Sequence, residues 1–138
     1  MKRIDLSFLL LASAMLVVGV FLGVVMGATH DFQLAPVHAH VNLVGWASLA
    51  LFGLTYRAYP EMARSRMAKV HLGLAAPSAI LFPAGIYLAA VHDSPGLAIG
   101  ASLVWLVGAG LFLAQLLGQL GKVEVPAVPL TDTAVAAE

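Results

Sequence analysis

Four apolar runs set the terms on which this chain can fold: Leu6 to Ala28, Pro36 to Tyr56, Val70 to Val91 and Gly96 to Leu120. Each supplies the ~20 residues with which an α-helix crosses about 30 Å of hydrocarbon. Backbone in lipid must satisfy its own hydrogen bonds, and a helix does so within a single segment. The expected fold class is therefore an all-α membrane protein: a four-transmembrane-helix bundle over residues 1–121, followed by a disordered cytoplasmic tail at 122–138. The tail carries Pro126, Pro129 and small residues without apolar periodicity. Composition agrees, with 61% of the 138 residues hydrophobic, 10% charged and a mean hydropathy of +0.95, far from a soluble domain. Lys2 and Arg3 precede the first run as they would in a signal peptide. That run is too long for such a segment and lacks a small-x-small cleavage pattern, so it reads as a helix.

Charge orients the bundle. The seven basic residues, Lys2, Arg3, Arg57, Arg64, Arg66, Lys69 and Lys122, fall at the N-terminus, between the second and third runs, or after the fourth. The positive-inside rule then expects both termini in the cytoplasm, in a bacterial inner membrane. The connections Thr29 to Ala35 and His92 to Pro95 contain no Lys or Arg and are expected outside. His30, His38, His40 and His92 accordingly lie near the outer surface, and His71 near the inner one. Zero net charge gives no argument for a nucleic-acid partner. The absence of cysteine excludes disulfides, thiolate ligands and covalent heme attachment.

Chemistry concentrates between His30 and His40, where three imidazoles and Asp31 meet the start of the second run. Ionisable groups at the edge of hydrocarbon are expensive and mark functional sites by default, and imidazole is the commonest metal ligand. Successive helical residues are about 100° apart, so His38 and His40 point about 160° away from each other. From a regular helix they serve two different sites, one on each side. Asn42 lies one turn below His38, Gly45 leaves room beside a ring bound near His40, and Trp46 is placed to pack on a cofactor or against lipid and core. His92 and Asp93 either join His30 and Asp31 in an outer metal site or are solvated turn residues.

Elsewhere the signals are milder. Gly19, Gly23 and Gly27 form a smooth stripe that reads first as a helix-packing face, though it also suits a flat macrocycle, and Gly96 and Gly100 repeat the spacing. Pro77 and Pro83 are expected to bend the third helix. Gln115 and Gln119 share a face and are expected to bond between helices. Tyr56 and Tyr59 are expected as aromatic anchors at the membrane interface, and His71, beside Lys69, as an interfacial or hydrogen-bonding residue.

The stretch from His30 to Pro60 resembles the tenth transmembrane helix of subunit I of the heme-copper oxidases. There a His-Asp pair followed by His-x-His opens the helix and an aromatic-Pro pair closes it; here the matching residues are His30-Asp31, His38-x-His40 and Tyr59-Pro60. Lys69-Val70-His71 and Phe82-Pro83 resemble parts of the following helix. The resemblance covers about half of the chain. It implies one four-helix repeat of that subunit, with His38 as the high-spin heme ligand, His40 as the low-spin one, and His30 and Asp31 at an outer divalent-cation site. The family's subunit has twelve helices, and its copper-site histidines have no counterpart here, so a complete oxygen reductase is not implied.

The resemblance leads to a heme b-binding membrane protein for electron transfer or O2 and NO binding, with a respiratory-chain redox partner. Its hemes would lie between copies of the chain, in a homo-oligomer for which a trimer imitates the twelve-helix arrangement and a dimer is the alternative. Two other classes stand beside it. One is a zinc- or copper-binding module built on the outer His/Asp cluster; the other is a small structural or assembly subunit of a respiratory complex.

Overall fold

The computed structural model describes residues 3–120, and the tail expected to be disordered, 122–138, lies outside the described residues. Helix α1 spans Ile4–Thr29. Helix α2 runs over Ala35–Ala58, and α3 is a short surface turn, Pro60–Arg64. Helix α4 spans Arg66–His92 and α5 spans Gly96–Leu120. Among the described residues there is no strand. Helices α1, α2, α4 and α5 are each long and apolar enough to cross a membrane, so the chain is an integral membrane protein built from four spans.

The ends of the spans follow local chemistry. Pro36 occupies the first turn of α2, where its missing N–H costs nothing. Ser65, in extended conformation, caps α4 by accepting the Ala68 N–H at 3.0 Å. The two turns without basic residues each use a left-handed residue, His30 at φ 53° after α1 and Asp93 at φ 51° after α4, the conformation that ends many helices. Pro77 and Pro83 lie inside one continuous helix, and Pro83 is buried.

One departure was not expected: α2 is not regular throughout. Val41–Ser48 forms a π-helical stretch directly after His40, and the Ser48 hydroxyl donates to the Leu43 carbonyl five residues back, at 2.8 Å. Such wide turns alter which faces the downstream residues present and recur at functional sites.

The core sits at the end of the bundle that carries the basic residues. Phe8 of α1, Leu49, Phe52 and Tyr56 of α2, and Ala68, Ala75 and Ala79 of α4 are buried there, with Trp105, Phe112 and Leu116 of α5 packed against them. A smaller cluster of Met15, Val37 and Val41 joins α1 to α2 beneath the histidines. Apolar surface elsewhere is exposed on every span, as it must be where the solvent is lipid.

Candidate functional site

His38 and His40 diverge as the spacing requires, because both precede the π-helical stretch. His38 lies against α1: its Nδ1 donates to the Gly19 carbonyl at 2.9 Å, and its ring covers Gly23, where a Cβ would come within 3.0 Å of Cε1. His40 turns toward α4, where its ring meets that of Phe82 with centroids 4.9 Å apart and planes at 63°. Its Nδ1 donates to the Pro36 carbonyl at 2.8 Å. A carbonyl can only accept, so both rings carry their proton on Nδ1. Nε2 is therefore the lone-pair nitrogen of each ring, the form in which imidazole binds a metal, held in orientation by the backbone; that of His38 also lies 3.5 Å from Asn42 Nδ2.

Two stripe glycines make this arrangement possible. Asn42 Nδ2 donates to the His38 carbonyl at 2.9 Å, and its amide packs on Gly19, where an added Cβ would lie 2.5 Å from Oδ1. Gly27, Gly96 and Gly100 have open space around an added Cβ, so of these stripe glycines only Gly19 and Gly23 pack against a neighbouring helix within the protomer. Gly19→Ala is expected to destabilise the protein by about 1 kcal/mol through overpacking. Adding Asn42→Ala should recover most of that loss, because the obstruction is one side-chain amide; melting in detergent micelles measures both. Equal melting of the single and double variants would remove Asn42 as the cause.

The other predicted site residues are more dispersed. Gly45 is buried, but the space beside it is filled by Met15, whose Cε lies 2.5 Å from an added Cβ. Trp46 is 40% exposed on the outside of the bundle. His30 and Asp31 are exposed, and Asp31 is occupied locally, accepting the Gln33 N–H at 3.0 Å. His92 is also exposed and touches Tyr87 edge to face, with centroids 6.0 Å apart. Among the described residues no three His, Asp or Glu side chains gather closely enough to hold a metal ion. A metal site within one protomer would thus rest on isolated imidazoles.

A second polar site, at the opposite end of α2, was not recognised as a unit from the sequence. Tyr56 and His71, expected near the membrane interface, are 1% and 0% exposed. Their hydrogen bonds form one directed chain. The Ser65 hydroxyl donates to Gln115 Oε1 at 3.2 Å and Gln115 Nε2 to the Tyr56 oxygen at 3.0 Å. The Tyr56 hydroxyl, 2.8 Å from His71 Nδ1, completes the chain by donating to it. This puts the His71 proton on Nε2, which has no hydrogen-bond partner. Phe8, Phe52 and Phe112 surround the imidazole at centroid distances of 5.2, 4.7 and 5.4 Å. Of the expected interhelical glutamine bonds, that of Gln115 is present. The legible signal was the pairing of a tyrosine, a histidine and a glutamine at the same depth of three apolar runs.

The fold and its polar sites define a four-span helical membrane protein with two oriented, separately packed imidazoles on one helix. Searches of family models, curated proteins and solved structures each returned no match to the chain.

Proposed function

We propose that this chain is a heme b-binding membrane protein, similar to one four-helix unit of heme-copper oxidase subunit I, with His38 and His40 as the axial ligands. The observation that carries the reading is the paired arrangement of Nδ1 bonds, His38 to the Gly19 carbonyl and His40 to the Pro36 carbonyl. Both imidazoles are held as Nε2 ligands, and the donated Nδ1 proton raises their basicity. Bound heme supplies one-electron transfer when both axial positions are imidazole, and a site for O2 or NO when one is open.

The chain's own residues fix the ligands. Gly23 gives the His38 ring clearance against α1, and Phe82 limits the rotation of His40. The two histidines turn to different neighbours, which suits two separate rings better than one shared metal. One protomer offers few walls for a macrocycle, and the exposed apolar faces of the spans leave area for copies of the chain to provide the others. A closed homo-oligomer, three-fold by analogy with the twelve-helix family architecture, is the assembly proposed. The proposed setting is a bacterial inner membrane with the basic ends in the cytoplasm.

The test is the optical spectrum of protein purified from heme-supplied cells, oxidised and dithionite-reduced, for wild type, His38→Ala, His40→Ala and His30→Ala. The expected result is a heme Soret band in the wild type, lost or shifted in the first two variants and unchanged in His30→Ala. A wild-type protein without porphyrin absorbance, or a heme spectrum indifferent to both His38→Ala and His40→Ala, overturns the reading. Stoichiometric zinc or copper without porphyrin would instead assign the protein to the metal-binding class.

A further inference from the structure

The end of the bundle opposite the histidines holds a cavity of about 500 Å³, within the range of small-molecule sites. Arg3, Arg57, Arg64 and Lys69 line it against a single carboxylate, Asp5, with Tyr56 among the remaining lining residues. Two of these cations are already paired. Arg3 makes a two-pronged contact with Asp5, at 3.1 and 2.9 Å, and Arg64 pairs with Glu61. The Asp5 carboxylate, hydrogen-bonded to the guanidinium, also raises Arg3 above its ordinary pKa. Arg57 and Lys69 have no carboxylate within ion-pair distance among the described residues.

A second cavity, of about 710 Å³, shares Arg3, Ile4 and Lys69 with the first and continues along Leu6, Leu10 and Leu72 to Gly73. An added Cβ at Gly73 would meet nothing within 4 Å, so this groove between α1 and α4 is open at its floor. A cationic chamber that leads into an apolar groove has the charge and polarity pattern of one molecule: an anionic headgroup carrying an acyl chain. We propose that the two cavities together bind one phospholipid with an anionic headgroup, its phosphate held by Arg57 and Lys69 and an acyl chain lying along Leu6, Leu10 and Leu72. Basic pockets between membrane helices recognise anionic headgroups through this combination. The groove excludes a free phosphate as the intended occupant, because such an ion would leave the apolar half unused. The proposal stands apart from the histidines and is independent of whether they bind heme.

Full-length protein in nanodiscs of mixed phosphatidylglycerol and phosphatidylcholine, released into native mass spectrometry, reads which lipid each protomer retains. The wild type is expected to retain phosphatidylglycerol in clear preference. Arg57→Gln and Lys69→Gln should each weaken that preference roughly fivefold. Lys69→Arg, which keeps the charge, should preserve it, and Arg66→Gln, at the same end but outside the cavity, should change it less than twofold. Gly73→Leu, which fills the groove, should reduce retention of the diacyl lipid. Both cationic side chains are exposed, so helicity measured by circular dichroism should not change in their variants.

Equal retention of the two lipids overturns the proposal. So does a loss in Arg66→Gln as large as in Lys69→Gln, which would mean a general attraction of the basic end to an anionic surface. Displacement of the lipid by millimolar inorganic phosphate, with Gly73→Leu without effect, would make the occupant a soluble anion and overturn the lipid assignment.

Discussion

Gly85→Val is expected to loosen α5 from α4 and destabilise the protein by about 3 kcal/mol, the upper end of the cost of overpacking a well-packed contact. A Cβ at Gly85 would run into the backbone N and Cα of Ala98 and the carbonyl carbon of Leu97. Backbone cannot swing aside as a side chain does, so relief requires a shift of the whole start of α5. In lipid there is little hydrophobic drive to bring helices together, and close approach over small residues supplies much of the contact energy. Gly100→Ala is the matched control. Its Cβ meets nothing within 4 Å, and replacing glycine in a helix should raise stability by about 0.5–1 kcal/mol. Thermal or SDS-driven unfolding in mixed micelles separates the two. A Gly85→Val protein that melts with the wild type would mean that α4 and α5 are not held at this point.

That contrast shows what a sequence can and cannot carry here. Hydropathy located the four spans, because length and apolarity are properties of the segment alone; α4 merely extends past the expected limits, over Arg66–His92. The divergence of His38 and His40 was legible because both stand in regular helix, where a fixed angle per residue applies. Gly45 was expected to leave room beside a ring near His40, yet five residues of regular helix already put it about 140° around the axis from His40, and it packs on Met15 of α1 instead; the π-helical Val41–Ser48 was not legible in the sequence. The glycine stripes were legible only as candidates. Gly19 and Gly23 on α1 and Gly96 and Gly100 on α5 have the same spacing, yet only the first pair touches a neighbour, because contact depends on how each helix is rotated. Gly85, with no glycine partner at that spacing, is the closest approach in the group. The anchor reading of Tyr56 and His71 failed for a related reason, while the hydrogen-bonding alternative expected of His71 is the one present, in its bond with Tyr56. Near a cluster of Arg and Lys they resemble interfacial anchors, and burial beneath Phe8 and Phe112 arises only when four helices meet.

Tyr56→Phe should cost about 2 kcal/mol, more than a typical interhelical hydrogen bond in a membrane, because it strands one buried group and weakens the bonding of a second. His71 Nδ1 loses its donor outright, in a shell of aromatic rings that admits no obvious substitute, and Gln115 Nε2 is left with only its longer bond to the Leu111 carbonyl, at 3.4 Å. Each buried polar group left unpaired costs about 1–3 kcal/mol; the lower end applies because the separated helices in a membrane also find partners for such groups. His71 already bears one orphaned nitrogen, Nε2, so after Tyr56→Phe neither of its nitrogens is satisfied. His71→Leu removes that demand altogether. The double variant Tyr56→Phe/His71→Leu should therefore be less destabilised than the sum of the single variants, by about 1 kcal/mol, a coupling typical of residues in one network. Strict additivity in the same unfolding assay would dismiss the bond between Tyr56 and His71 as an energetic link. If the coupling is present, this polar chain fixes the register of α2, α4 and α5 against one another, since Ser65, Gln115, Tyr56 and His71 can be satisfied together only at a single depth of the three helices. The apolar contacts around them would tolerate sliding. The same register sets how α2 stands against α4, and through it the place of His40 beside Phe82.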